Sequence, residues 1–151
     1  MSIRQLVPHD VPECVVLGVE AFRTVYTSCE QAFGTDLVNR FIPDWEAAQA
    51  AQIESLCTSA DGRSFVAVEW DAVVGFLVAR PNDATGLASI VTIAVHPDSQ
   101  RRGIGSQLVE ESLGEMRRLG MAYVQAYIRG FPGYRPARIA FGRAGFESMN
   151  A

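Results

Sequence analysis

The sequence predicts a mixed α/β domain with elements in the order βααβββαβα. Three observations support this class. Apolar runs with strand-like patterns, apolar residues at helical spacing, and Gly or Pro residues between these segments all occur along the chain. The 151 residues are 48 % hydrophobic and 20 % charged, an ordinary globular balance. We therefore expect a single domain over residues 1–151.

The N-terminal part carries signals for one strand and two helices. Residues 3–7 alternate loosely between apolar and polar side chains and are expected to form a short strand. The first helix is expected to begin near Asp10 and Pro12, because aspartate caps helices and proline suits their first turn. Apolar residues then recur at helical spacing at Val15, Val16, Val19 and Phe22. A second helix is expected over residues 44–56.

The rest of the chain alternates strands with helices. Strands are expected at residues 64–70, 73–80, 88–95 and 122–128. The link Asp71-Ala72 is expected to form a tight hairpin turn between the first two. Helices are expected at residues 103–119, which have one broad apolar face, and at residues 136–144. Gly120 and Gly145 are expected to end these two helices.

Composition narrows the class of protein. No segment reaches the roughly 18 uncharged apolar residues that a membrane span needs, and the N-terminus lacks the apolar core of a signal peptide. We therefore expect a cytoplasmic protein without a membrane partner. Cys14, Cys29 and Cys57 form neither a CxxC pair nor a cluster with histidine. They are expected to be reduced and buried, and no metal site is predicted.

The charges are unevenly distributed. Thirteen of the seventeen acidic residues lie in residues 1–100, whereas eight of the thirteen arginines lie in residues 101–151, and there is no lysine. A basic C-terminal third suits a small polyanionic ligand. The excess is too weak and too local for a nucleic acid, which we do not expect as a partner.

The most informative segment joins the strand at residues 88–95 to the helix at residues 103–119. The first N–H groups of a helix lack partners within the helix, and the helix dipole is positive there. Glycine has no Cβ, so a phosphate can approach the backbone closely. These features predict an anion site formed by Arg101, Arg102, Gly103, Ile104, Gly105 and Ser106.

Two common phosphate-binding motifs do not fit this loop. The Walker motif requires a lysine, and the dinucleotide motif GxGxxG requires glycine where this chain has Leu108. Nucleotide binding is therefore the weakest of the functional hypotheses. The remaining pattern, Gln/Arg-x-x-Gly-x-Gly/Ala, matches residues 100–105. Its position between a buried strand and an amphipathic helix makes the match specific.

This arrangement resembles motif A of the GNAT superfamily of acyltransferases. The resemblance extends from residue 3 to residue 146 and is sharpest over residues 88–109 and 132–146. It implies a mainly antiparallel central sheet flanked by helices, in which a β-bulge splays a central pair of strands, here 88–95 and 122–128. It also implies acetyl-CoA as the co-substrate, with its pyrophosphate on the loop.

The resemblance implies further coenzyme contacts on the strand before the loop. The pantetheine arm would run beside Ile93, Ala94 and Val95 like an added strand, and the acyl group would lie in the gap between the splayed strands. A backbone N–H near Val95 would polarise the thioester carbonyl.

Residues 132–146 resemble the family's last helix and the Gly-Phe dipeptide that follows it. In many members a tyrosine five residues before that Phe protonates the departing CoA thiolate, whereas this chain has Phe141. Phenylalanine has no proton to donate, so Phe141 is expected to pack against the coenzyme arm. Tyr134, at the start of the same helix, is the candidate acid. The alternative is that Tyr134 is an exposed loop residue and solvent supplies the proton.

No general base is evident. Some members carry a glutamate early on the central strand, where this chain has residues 88–90, Ala-Ser-Ile. Glu69 is a candidate base acting through water, and an ordinary surface carboxylate is the alternative. His96 is expected to be a loop residue at the pyrophosphate end. Orientation of the amine and thioester is expected to supply much of the acceleration without a base.

Two functional hypotheses follow. The first is an N-acyltransferase that moves an acetyl group from acetyl-CoA to a primary amine of a small molecule or peptide, by direct attack on the thioester. The alternative is a catalytically degenerate domain that binds acyl-CoA as a sensor or interaction module, which Phe141 favours. The family's last strand is short, missing or supplied by another subunit after Phe146, so a homodimer is expected.

Overall fold

The computed structural model describes residues 1–128 and 134–149, in which five strands form one sheet. Neighbouring strands follow one another in sequence order. The first three pairings are antiparallel, and the fourth is parallel. The strands are β1 Ser2–Gln5, β2 Arg63–Glu69, β3 Ala72–Arg80, β4 Leu87–Val95 and β5 Tyr123–Ala126. The predicted mixed fold with a mainly antiparallel sheet is thereby confirmed.

Five α-helices occur in the described residues: α1 Val11–Phe33, α2 Thr35–Phe41, α3 Trp45–Cys57, α4 Ile104–Arg118 and α5 Arg135–Arg143. Helices α1 and α3 pack on one face of the sheet, and α4 and α5 pack on the other. Phe76 of β3 packs in the core on the α1 and α3 side, and the next residue, Leu77, packs in the core on the α4 and α5 side. Successive side chains of a strand point to opposite faces of the sheet. The sheet therefore has helices on both faces, and the loop between β4 and α4, where the sequence predicts an anion site, joins one of its strands to one of these helices.

The first strand is tied to the first helix through Asp10. Its buried carboxylate accepts hydrogen bonds from both terminal nitrogens of Arg4, at 2.7 and 2.9 Å, and from the Val7 N–H at 2.8 Å. The bond from Arg4 lowers the pKa of Asp10. Asp10 precedes α1 as predicted, but its side chain does not cap that helix.

Helix α2 was missed by the sequence prediction, which placed two helices where the structure has three. Gly34, with φ of 85°, separates α1 from α2. Helix α2 has seven residues, and its Leu37 and Phe41 are exposed while Val38 is buried. Such a short helix with a single buried residue lacks the apolar periodicity on which the prediction depends.

The β2–β3 hairpin turns one residue earlier than predicted. The turn residues are Trp70 and Asp71, with φ of 50° and 59°, instead of Asp71 and Ala72. Positive φ at both central residues is the pattern of a type I′ turn, which matches the twist of the strands it joins. Trp70 is an unusual residue for this position, so the sequence did not indicate it.

Strands β4 and β5 separate at the level of a β-bulge. Their parallel pairing ends at Ile90 and Ala126, so β5 is shorter than predicted. At the same level the register between β3 and β4 shifts and leaves Val91 as an extra residue. The implied splay and bulge are therefore present, with β5 at the edge of the described sheet. Residues 147–149 form no strand.

Gly75 brings the start of α4 close to β3. A Cβ at this position would lie 3.2 Å from both the Ala94 carbonyl oxygen and Leu108 Cδ1. Both distances are shorter than ordinary van der Waals contact. The missing side chain therefore allows α4 to begin directly over the sheet, which determines where the loop before it lies.

Cys14 of α1 and Cys57 of α3 are buried in the core as expected, whereas Cys29 is only partly buried, contrary to the expectation. The hydrogen bond with Cys57, together with burial, raises the pKa of Cys14. Among the described residues, no group of His, Cys, Asp and Glu side chains is arranged to hold a metal ion. The same residues include no helix with the length and apolarity to cross a bilayer.

Candidate active site

A short loop with its own hydrogen bonds connects β4 to α4. One turn of 3₁₀ helix, Pro97–Ser99, follows His96, whose Nδ1 accepts a bond from the Asp98 N–H at 3.1 Å. Gln100 Nε2 donates to the Val95 carbonyl at 3.0 Å and ties the loop to the end of β4. His96 therefore lies in the loop, where the sequence placed it, and it caps the turn.

Two residues of the loop have left-handed backbone conformations. Arg101 has φ of 65° and Gly103 has φ of 79°. A left-handed residue with a side chain is uncommon, and such residues cluster at functional sites. Gly103 caps α4, and a Cβ built on it would meet no heavy atom of the described residues within 4 Å. The space beside this helix start is therefore open to a ligand.

The first turn of α4 offers backbone groups more than side chains. Ile104 is 2 % exposed, so its side chain belongs to the core. A Cβ on Gly105 would lie 3.6 Å from Ala140 Cβ and 3.8 Å from Val95 Cγ2, so this residue sits between α5 and β4. Ser106 is partly exposed. The first turn holds no acidic residue, which preserves the positive potential of the helix start.

Arg101 and Arg102 are both exposed at the loop. Nη2 of Arg102 lies 2.8 Å from Oε1 and 3.0 Å from Oε2 of Glu69, at the end of β2. Glu69 therefore belongs to the charge network of the loop, and this placement does not support the role of a base at the acyl carbon. The pair holds Arg102 beside the start of α4.

Backbone groups on one edge of β4 point away from β3. The His96 N–H donates to the Val74 carbonyl at 2.8 Å, next to the facing pair Gly75 and Val95. In an antiparallel ladder this makes Gly75–Val95 the pair without mutual hydrogen bonds, so the peptide groups of Val95 face outward. Because the direction of the peptide groups alternates along a strand, those of Ile93 also face away from β3. An extended ligand can pair with these two residues as an added strand.

Ala94 differs from its two neighbours. It faces Phe76, and the same alternation directs its N–H and C=O toward β3. Its side chain is 5 % exposed and packs in the core beneath α1. The backbone of Ala94 is therefore used within the sheet, whereas Ile93 and Val95 carry the outward-facing groups, and the predicted contact of Ala94 with the coenzyme stays a prediction.

A cavity of about 200 Å³ opens where β4 and β5 separate. Its wall is formed by residues 90–93 of β4, by the last residue of β5 and the two residues that follow it, 126–128, and by residues of α1, α3 and α5. It lies along β4 from the glycine-rich loop. Loop, outward-facing strand edge and cavity thus follow one another along a single strand.

Tyr134 and Phe141 both line this cavity. Tyr134 occupies the N-cap position of α5, without a capping hydrogen bond from its side chain, and is partly exposed. Phe141 is 5 % exposed, and its ring packs edge-on against Phe146 with centroids 5.0 Å apart. The structure therefore brings the candidate acid and the phenylalanine at the usual acid position into one cavity.

A family model of acetyltransferases matches residues 23–146 of the chain, which include the loop, β4, β5 and α5. The chain belongs to the acetyltransferase (GNAT) family. The resemblance inferred from the loop and from residues 132–146 is thereby confirmed. No curated protein is similar enough to the chain to match it.

Solved structures with the GNAT fold cover nearly the whole chain. PaiA N-acetyltransferase from Thermoplasma acidophilum, in complex with coenzyme A, has a TM-score of 0.74 at 16 % identity, over 99 % of this chain and 91 % of that one. A GNAT-family protein from Desulfovibrio desulfuricans has a TM-score of 0.69 at 23 % identity, and the match covers 99 % of this chain and 86 % of that one. A GNAT acetyltransferase from Brucella melitensis, in complex with acetyl-CoA, has a TM-score of 0.62 at 24 % identity, and the match covers 97 % of this chain and 82 % of that one. At these identities the similarity shows the fold.

Sequence reasoning missed several cavity residues of this GNAT protein. Gln49 and Gln52 lie one turn apart on α3 and face the cavity, and Tyr127, which is 91 % exposed, adds a hydroxyl after β5. Helix α3 was predicted, but its own sequence does not indicate which of its side chains face β4. Only the packing of α3 against the sheet reveals these side chains.

Proposed function

We propose that residues 1–151 work as one acyl-CoA-dependent N-acyltransferase domain that moves an acetyl group from acetyl-CoA to a primary amine of a small molecule or peptide. One observation carries the proposal. The glycine-rich helix start, the outward-facing peptide groups of β4 and the cavity follow one another along a single strand. This succession suits a ligand with an anionic head, an amide-bearing arm and a reactive thioester at its end. Two solved structures of the same fold hold coenzyme A or acetyl-CoA.

The loop would bind the pyrophosphate mainly through its backbone. The N–H groups at Gly103, Gly105 and Ser106 surround the open helix start, where the dipole favours an anion. Arg101 and Arg102 would add charge-assisted hydrogen bonds from their exposed guanidinium groups. Arg102 would share its charge between the phosphate and Glu69.

The chemistry would take place in the cavity. Ile93 lines it, whereas Val95 lies at the loop end, so we assign the N–H that polarises the thioester carbonyl to Ile93 instead of Val95. The amine nitrogen forms a bond to the carbonyl carbon, and the carbon–sulfur bond then breaks. The amine proton passes to solvent. The departing thiolate takes a proton from the Tyr134 hydroxyl, which is restored from solvent.

Thermal unfolding and thiol release test this proposal together. Coenzyme A is expected to raise the melting temperature through binding to the folded state. Acetyl-CoA mixed with a panel of primary amines is expected to release thiol only when an amine is present. An unchanged melting temperature at millimolar acetyl-CoA would contradict the site. Binding without turnover of any amine would instead support the acyl-CoA sensor, which Phe141 favours.

We also propose a homodimer in the cytoplasm, with neither nucleic acid nor membrane as a partner. Within the described residues, the outer edge of β5 pairs with no strand, and an open edge is a site for strand pairing. Light scattering at micromolar concentration is expected to give twice the chain mass. A monomer mass would contradict the dimer.

A further inference from the structure

The acceptor side of the cavity has an uncharged wall in the part of the chain that the structure describes. Its polar side chains are Gln49, Gln52, Thr92, Tyr127 and Tyr134, with no carboxylate among them. Removing several ammonium groups from water requires paired negative charges. This wall therefore does not suit a polycationic amine.

Two acidic residues of the helices beside the cavity, Glu20 on α1 and Glu46 on α3, are paired with one arginine. Glu20 and Glu46 each contact Arg23 at 3.3 Å. The Arg23 guanidinium also lies over the Trp45 ring, 5.4 Å from its centroid, and Trp45 stacks on Tyr26 with centroids 4.1 Å apart. The acidity of the N-terminal part of the chain is thus partly neutralised where α1 and α3 meet.

The amide of Gln49 is oriented by Tyr26. The tyrosine hydroxyl donates to Gln49 Oε1 at 3.3 Å. A glutamine amide has one acceptor oxygen and one NH₂ donor group, so the NH₂ of Gln49 serves as the donor. Gln52 presents a second amide one turn further along α3. Such donors recognise a carbonyl oxygen.

The remaining wall is mostly apolar. It includes Phe22, Leu56, Ile90, Ile128 and Phe141. The acyl group and the acceptor amine would share this cavity of about 200 Å³. An acceptor with a short apolar substituent fits these walls, because burial of that substituent is favourable.

We infer that the acceptor is a small α-amino amide, with a primary amine, a neighbouring carbonyl oxygen and an apolar substituent, and that Gln49 and Gln52 determine this specificity. The inference rests on the proposed function, because it concerns the amine that attacks the thioester. The amine would reach the acyl carbon beside Ile93, and the carbonyl oxygen would accept from the α3 amides.

Three acceptors separate the classes at saturating acetyl-CoA. Leucinamide carries all three groups, isoamylamine has the same alkyl amine without the carboxamide, and spermidine is a polycation. We expect kcat/KM to fall in that order. Gln49→Ala and Gln52→Ala are each expected to lower kcat/KM for leucinamide by about two- to tenfold, the range of one hydrogen bond, and to leave isoamylamine unchanged.

Two further variants sharpen the test. Gln49→Glu removes the donor and adds a charge, so it is expected to lower kcat/KM for leucinamide and raise it for spermidine. Gln31→Ala, at an exposed position of α1, is the matched control. It is expected to leave kcat/KM unchanged for both leucinamide and spermidine. Affinity for coenzyme A is expected to stay constant in all four variants, because the substitutions lie away from the loop.

The outcomes that overturn this inference differ from those that overturn the function. Preference for spermidine, or equal losses with leucinamide and isoamylamine in the glutamine variants, overturns the inference while turnover persists. If the parent protein acetylates none of the three, calorimetry of leucinamide with the coenzyme A complex decides instead. Binding that Gln49→Ala weakens supports the inference, and absence of binding overturns it.

Discussion

The two ends of the candidate site are built differently. The proposed coenzyme end is a contiguous segment, residues 96–106, which presents backbone groups, two glycines and two arginines. The proposed acceptor end is a cavity with side chains from α1, α3, β4, β5 and α5. A backbone site depends on a few conformations, whereas a side-chain site depends on how distant elements pack. The first should therefore respond to a single backbone change, and the second to individual functional groups.

The largest expected effect is at the backbone of the coenzyme end. Gly103→Glu forces a side chain into a left-handed conformation, φ of 79°, and places a carboxylate where the phosphate would bind. We expect the Kd of coenzyme A to rise at least about 100-fold, because the conformational cost and the charge repulsion add. Calorimetry and the loss of thermal stabilisation by coenzyme A measure it.

Gly114→Glu is the matched control for this change. Gly114 lies on the exposed side of the same helix, α4, where a Cβ would meet no heavy atom of the described residues within 4 Å. Coenzyme affinity is expected to be unchanged. If Gly103→Glu behaves like Gly114→Glu, the loop is not the anion site, and the contrast between the two ends fails.

The next effect concerns one hydroxyl at the acceptor end. Tyr134→Phe is expected to lower kcat at least about tenfold, the lower part of the range for general acid catalysis, with the Kd of coenzyme A unchanged. Steady-state kinetics with the best amine measure this effect. Tyr123→Phe removes the hydroxyl of an exposed tyrosine on β5 that does not line the cavity, and it is expected to have no effect. An unchanged kcat in Tyr134→Phe would leave solvent as the proton donor.

A smaller effect is expected for the loop arginines. Arg101→Gln combined with Arg102→Gln should weaken coenzyme binding several-fold at low salt and less at high salt, because ions screen exposed charges. Titrations at two ionic strengths measure the difference. Arg117→Gln, exposed in the last turn of α4, is the control. Equal losses at both salt concentrations would mean that the side chains act through packing.

The smallest effect is expected at Phe141. Phe141→Tyr adds only a hydroxyl to a ring that lines the cavity, so coenzyme binding should persist and kcat should be equal or higher. The gain is limited because a thiol with a pKa of about 8.5 already leaves readily as thiolate. Stopped-assay turnover and calorimetry measure both quantities. A fall in kcat would show that the ring does not border the sulfur.

The accuracy of the sequence predictions follows the same division. Helix α4 was expected at residues 103–119 and spans Ile104–Arg118, because its apolar face and Gly103 are local signals. The β2–β3 turn was displaced by one residue, because Trp70 adopts a left-handed conformation that its residue type does not announce. The direction of the Ala94 backbone groups was not evident from the sequence, because it depends on the register with β3.

The sequence alone determined the family, the mixed fold and the position of the glycine-rich loop, because each rests on residues close together in the chain. Only the tertiary structure decided that Glu69 pairs with Arg102, that Val91 forms the bulge, and that Gln49 and Gln52 face the cavity. These facts depend on strand register and on the side that a helix turns toward its neighbour. Packing between distant segments sets both, and no local pattern records it.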